Sequence, residues 1–102
     1  MKKLSKFENA VLFAKLESEW KKETIYLSLT RDIVMNYAYQ RIIGMGPAAV
    51  PLIMRSMRKN PAHWFWALES ITGQNPVKHS HRGNIKKMTE DWLEWYKKEE
   101  QD

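Results

Sequence analysis

YQRIIGMGPAAVPLIMRSMRKNPAHWFWALESITGQNPV, residues 39–77, reads as helix, Gly-Pro turn, helix, Asn-Pro turn, aromatic helix and stop. Gly44 stands where the first apolar run ends, and a glycine there can take the left-handed conformation that closes a helix. The spacing therefore predicts a positive φ at Gly44. Pro47 suits the first position of the next helix, where its missing N–H would be unpaired in any case. Within that helix Val50, Ile53, Met54 and Met57 follow the i, i+3, i+4, i+7 pattern of one buried face. Pro51 falls in or near the first turn, where it is tolerated. Asn60-Pro61 then stops the helix, and Asn60 is expected to cap the next one, His63–Thr72. Trp64, Ala67, Leu68 and Ile71 share a face of that helix, with Phe65 on its shoulder. Gly73 and Asn75-Pro76 end it.

Working outward, Ser5 with Glu8 three residues on is a capping box opening a helix over 5–22. This helix carries two apolar stripes, Phe7/Val11/Ala14 and Phe13/Leu16/Trp20, which together predict contact with more than one neighbour. Ile25-Tyr26-Leu27 is a β-branched and aromatic run with no second strand to pair with, so it reads as a connector. Asp32–Tyr37 is ambiguous. Asn36 is a candidate cap for a short helix whose face is Tyr39, Ile42 and Ile43. At the other end, Lys78–Asn84 is a polar loop. After it Ile85, Met88, Trp92, Trp95 and Tyr96 recur at helical spacing in an amphipathic helix over 84–99. The expectation is an all-α, single small domain over 1–102 with about five helices. Its predicted core is Ile42, Val50, Ile53, Met54, Trp64, Leu68, Ile71, Met88 and Trp92.

IIGMGPAAVPLI followed by HWFWALESITG resembles a HEAT-type helical hairpin, here residues 37–77 capped by flanking helices. More narrowly, AYQRIIGMG, HWFWAL, ITGQNPV and DWLEWY are similar to a group of small bacterial proteins of about this length with no assigned activity. That group is expected to carry His-Pro where this chain has Asn36-Tyr37. The resemblance spans about 38–95 and transfers a fold and no chemistry. It implies an accessory-genome product, sometimes encoded beside a second small reading frame, and hence a protein partner.

Composition narrows the classes. The 102 residues are 43% hydrophobic and 12% aromatic, with five Trp, which is core material rather than a disordered composition. With no Cys, disulfides, Cys-based zinc sites and a Cys nucleophile are excluded. Lys15 and Glu8 interrupt any signal-like apolar run, and no stretch approaches a membrane span, so a cytoplasmic location is the default expectation. The net charge of +5 is uneven. Residues 54–88 hold seven basic groups, Arg55, Arg58, Lys59, Lys78, Arg82, Lys86 and Lys87, against Glu69 alone. Residues 89–102 hold six acids against Lys97 and Lys98. The first segment is a candidate nucleic-acid patch, although solvated faces of small helical domains carry such runs without function.

No pattern points to catalysis. His79-x-His81 with distant His63 lacks the spacing of a metal site. Asp91, Glu94, Glu17 and Glu19 lie beside lysines, where surface ion pairing explains them. Gly44-Met45-Gly46 lacks the Lys-Ser/Thr of a phosphate loop. No enzyme, cofactor, metal or small-molecule ligand is expected. Trp66 stands apart, because it falls about 200° from Trp64 on a helical wheel. Helix 1, with its second stripe, is the expected internal cover. Otherwise Trp66 joins His63, Met57 and Arg58 as a candidate partner surface. A second chain covering Trp66 and the Met54–Met57 side, with the acidic tail against the basic segment, is a further expectation. The leading reading is a small helical protein–protein interaction module whose partner is a second copy or a co-encoded protein. The alternative is a nucleic-acid-binding accessory protein using residues 54–88.

Overall fold

The computed structural model describes residues 3–101. Six α-helices follow one another: α1 (Lys6–Thr24), α2 (Thr30–Val34), α3 (Tyr37–Gly44), α4 (Ala49–Lys59), α5 (Phe65–Thr72) and α6 (Ile85–Gln101). Short 3₁₀ turns, Gly46–Ala48 and His79–His81, precede α4 and α6. Among the described residues there is no strand, and none of the helices is long and apolar enough to cross a membrane. The single domain is all-α, with one helix more than expected, because α2 occupies part of the ambiguous stretch before Tyr37.

The helix starts follow from local chemistry where a polar cap is present. Ser5 Oγ accepts from the Glu8 N–H and Glu8 Oε1 accepts from the Ser5 N–H, both at 3.0 Å, which completes the capping box of α1. Asn36 Oδ1 accepts from the Tyr39 N–H at 3.1 Å and caps α3. The other end of the same amide donates to Glu23 Oε1 at 2.9 Å, which ties the start of α3 to the last turn of α1. Asn84 Oδ1 accepts from the Lys87 N–H and opens α6.

The turn after α3 differs from expectation. Gly44 is the last residue of α3 and is not among the positive-φ residues; Gly46 is, at φ 71°. Met45, the residue after α3, still has helical dihedrals, φ −67° and ψ −20°, before the chain reverses. It is therefore Gly46 that needs glycine's freedom. Asn60 is not the cap of α5 either. It is extended at φ −158°, ψ 103°, at the end of α4, and α5 begins at Phe65, two residues later than expected. Gly73, at φ 70°, closes α5 as expected.

Packing centres on four rings. Trp64 lies 4.5 Å from Trp20, 5.5 Å from Phe13 and 5.8 Å from Tyr39 between centroids. These rings join α1, α3 and the start of α5. α3 lies mainly on α1 and α5, and α4 lies against α1, α5 and α6, so the two arms of the expected hairpin lean on their neighbours more than on each other. Val50, Ile53, Met54 and Met57 are all buried, as the spacing implied. Met54 and Met57, expected as a face for a second chain, are covered by the protein's own helices at 0% and 1% exposure. Ile71 and Met88, placed in the predicted core, are only half-buried: Ile71 packs against the core from its edge, and Met88 lines surface hollows. Of the two stripes on α1, only Phe13/Leu16/Trp20 is used. Phe7 and Val11 remain 77% and 54% exposed, because α3 and α4 both dock on the other side.

The start of α5 has no side-chain cap of its own. Instead the Tyr39 hydroxyl donates to the His63 carbonyl at 2.8 Å and accepts from the Ala67 N–H at 2.9 Å. Burial pushes this hydroxyl far above the ordinary tyrosine range, more than the Ala67 N–H lowers it, so it stays neutral. Tyr39→Phe should remove both bonds and leave the Ala67 N–H unsatisfied in a buried site. The expected loss of unfolding free energy is roughly 1–3 kcal/mol. Urea unfolding checks this, and a loss below about 0.5 kcal/mol would show that the hydroxyl is dispensable. The glycines should behave oppositely. Gly44→Ala, in helical and open surroundings, should raise stability by up to about 1 kcal/mol, and Gly46→Ala should lower it by a similar amount.

Candidate interaction surface

Trp66 is half exposed, at 50%, one position before the fully buried Ala67 and Leu68. Helix 1 does not cover it. The rotation that sends Trp64 into the aromatic cluster turns Trp66 away from it, over a groove of about 400 Å³. Thr30 and Val34 of α2, His63, Phe65 and Glu69 at α5, and Ile85 and Met88 of α6 complete the walls. Phe65, Glu69 and Met88 also border a smaller hollow of about 280 Å³ that continues toward Val77, Arg82 and Trp92. The groove is mostly apolar, with His63 and Glu69 as its polar edge.

Of the candidate partner residues, Trp66 and His63 meet in this groove. Met57 does not, because it is core. Arg58 does not either: its guanidinium lies over the Tyr96 ring at 5.9 Å, on the α4–α6 side.

The basic segment falls on α4 and on the loop and start of α6. Arg55 and Lys59 border the α1–α4 groove beside Lys21. Glu17 sits in the same groove, accepts from Ser56 Oγ and pairs with Lys21 Nζ at 3.3 Å. Arg58 belongs to Tyr96, near the end of α6. Lys78 and Arg82 lie on the loop, and Lys86 and Lys87 in the first turn of α6, about ten residues and therefore roughly 15 Å along the helix from Tyr96. Arg55, Arg58 and Lys59 thus share about one turn of α4, and Lys78, Arg82, Lys86 and Lys87 share the loop and the first turn of α6.

The loop before α6 is held by one carboxylate. Asp91 Oδ2 accepts from the Lys78 N–H at 3.0 Å and lies 2.8 Å from His81 Nδ1. Asp91 is thus a loop anchor, with a side chain only 10% exposed, and not the solvated lysine partner expected of it. Burial would raise its pKa, but the Lys78 N–H and His81 outweigh that and hold it below the ordinary aspartate value of 3.8. Glu94 does pair with a lysine, Lys98, at 3.9 Å. Among the described residues no group of three or more His, Asp or Glu gathers as metal ligands would.

A second feature was not singled out in advance. Ile25, Tyr26, Leu27, Leu29, Met35 and Tyr37 are all more than two-fifths exposed, Tyr26 at 95% and Tyr37 at 76%. They surround α2, whose Thr30 and Val34 also line the Trp66 groove. The signal in the sequence was the strand-like run Ile25-Tyr26-Leu27 with nothing to pair with. No protein-family model, curated protein or solved structure matches this chain.

Asp91 gives a pH-dependent prediction. Its folded pKa lies below its unfolded value, so its contribution to stability is present above pH about 4 and is lost as pH falls through the lowered folded value. Thermal unfolding followed from pH 7 to pH 2 should show wild type losing its advantage over Asp91→Asn across that acid range. A constant difference between the two proteins would mean that the carboxylate charge is not what holds the loop.

Proposed function

We propose that this chain is a small helical protein–protein interaction module, acting in the bacterial cytoplasm without cofactor, metal or catalytic residue. Trp66 carries the reading. A tryptophan half exposed over an apolar groove of Val34, Phe65, Ile85 and Met88 has the chemistry of an interface anchor. Its helix neighbours Trp64 and Leu68 are fully buried, so the exposure does not come from a loosely packed helix. The apolar corner around α2 extends the same side of the molecule. The partner is a second copy or a co-encoded protein. Phosphate binding by residues 54–88 is the rival, and the carboxylate of Glu17 beside Arg55 and Lys59 weighs against it.

Affinity purification of the tagged full-length chain from its host tests this reading against the rival. A stoichiometric protein should be retained after nuclease treatment and at about 0.5 M salt, where phosphate contacts are strongly weakened. Trp66→Glu should release it while leaving thermal unfolding nearly unchanged. Retained nucleic acid that disappears with nuclease or salt, with no protein remaining, would overturn the module reading in favour of the rival.

A further inference from the structure

We infer that the corner formed by Ile25–Leu29, Met35, Tyr37 and Trp66 is a self-association surface, on which a second copy of this chain docks across a two-fold axis. The inference rests on the module reading and names its partner. Three observations converge on it.

The first is area. At 150–250 Å² per aromatic side chain, the exposed fractions of Tyr26, Tyr37 and Trp66 amount to roughly 400–500 Å². That alone reaches the range of the largest apolar patch on a typical monomer, about 300–600 Å². With Ile25, Leu27, Leu29 and Met35 added, the corner approaches the roughly 800 Å² that each partner contributes to a standard interface.

The second is composition. From Ile25 to Gln40 the only charged residues are Arg31 and Asp32. Charge depletion with enrichment in Tyr, Trp and Met is the mark of an interface centre. It contrasts with the rest of a chain whose net charge is +5.

The third is self-complementarity. A two-fold interface sets a surface against itself, so a patch of one sign would repel its copy. Here the two charges are adjacent, opposite and paired with each other at 3.4 Å, on side chains 78% and 44% exposed. Across a two-fold axis Arg31 of each copy can exchange its neighbour for Asp32 of the other. Arg41 adds a second cation, over the Tyr37 ring at 5.9 Å, and Glu69 at the Trp66 groove a second acid, so the corner offers both signs to its copy and no excess of cations to a strongly acidic partner.

The corner is also firmly held. The Trp20 indole N–H donates to the Ile33 carbonyl at 2.9 Å and the Gln40 amide donates to the Val34 carbonyl at 2.9 Å, which fixes α2 to α1 and α3. Leu29 and Met35, at the two ends of α2, therefore stand on an ordered base, and little backbone freedom is lost there on association.

Sedimentation equilibrium of the full chain between about 1 and 200 µM, a range that brackets a micromolar interface, is the test. The mass should rise from the 12.2 kDa of the monomer toward twice that value. Tyr26→Glu with Leu29→Glu should weaken the dimer at least about 100-fold, as loss of central apolar contacts does. At concentrations low enough for wild type to be monomeric, thermal unfolding should be unchanged, since both side chains are exposed in the monomer. Phe7→Glu, on the separate exposed stripe of α1, should leave association intact. Arg31→Asp should weaken it about tenfold, and adding Asp32→Arg should restore it, because only a self-paired surface regains its complement when both charges are exchanged in the same chain. A wild-type monomer throughout the range overturns the second-copy inference. The module reading is then decided separately, by whether the affinity purification yields a different protein. A dimer insensitive to the Tyr26 and Leu29 changes, or abolished by Phe7→Glu, overturns the location. A dimer that Arg31→Asp weakens and the double exchange fails to restore overturns the two-fold pairing.

Discussion

One phenolic oxygen decides how α5 begins. A helix leaves its first N–H groups without internal partners, and a local Ser, Thr, Asp or Asn usually accepts one of them. Here Trp64 occupies the cap position, with no oxygen to offer. The Ala67 N–H, which a local cap would have satisfied, is bonded to Tyr39 from a helix 28 residues earlier. The same oxygen donates to the carbonyl of His63, so both sides of the helix start are held by one side chain. An aromatic at the cap position can then enter the core, where Trp64 meets Phe13, Trp20 and Tyr39. A ring cluster joined to a hydrogen-bonded hydroxyl fixes the rotation of α5 more tightly than apolar burial alone, because hydrogen bonds are directional.

Once that rotation is set, the surface follows. Trp66 is two positions beyond Trp64 and cannot enter the same cluster. Phe65, between them, is half-buried and forms the groove floor with Met88 and Ile85 from α6. On the other side of the groove α2 is pinned by Trp20 and Gln40 through backbone carbonyls. The apolar exterior of this protein is therefore a by-product of how its interior is locked. The buried indole N–H groups of Trp64 and Trp92 have no hydrogen-bond partner among the described residues. Such groups are disfavoured by about 1–3 kcal/mol each, so shape must dominate at these two positions.

What could be read in advance was local. The Ser5–Glu8 box, the Asn36 cap, the α4 face and the Gly73 stop each depend on residues within one or two turns, and all are present. What escaped reading was long-range or a matter of one residue's register. Two glycines flank Met45, and nothing local says which of them reverses the chain. Asn60-Pro61 looked like a cap because the tertiary cap from Tyr39 leaves no trace in the neighbouring residues. Helix 1 carried an apolar stripe, but a stripe does not state whether another helix or a second molecule will cover it. The His81–Asp91 contact spans ten residues of loop and helix, and a carboxylate among lysines gave no hint of it.

The dependence of α5 on Tyr39 also sets an order of assembly. A short helix with a costly nucleus and no cap of its own has little reason to form in isolation. α1 and α3 are both capped from within, and the Asn36–Glu23 bond links them across only 13 residues. Their pairing closes a shorter loop than the Tyr39–Ala67 bond does, so the Tyr39 hydroxyl is expected to be in place before α5 forms. On that order the segments beyond Asn60 add to a partly built surface, with α6 tied to the preceding loop through Asp91. A kinetic dissection should find mutations at Trp20 and Tyr39 slowing folding, and mutations around Asp91 mainly hastening unfolding. The carboxyl-terminal third would be the first part of the molecule to open.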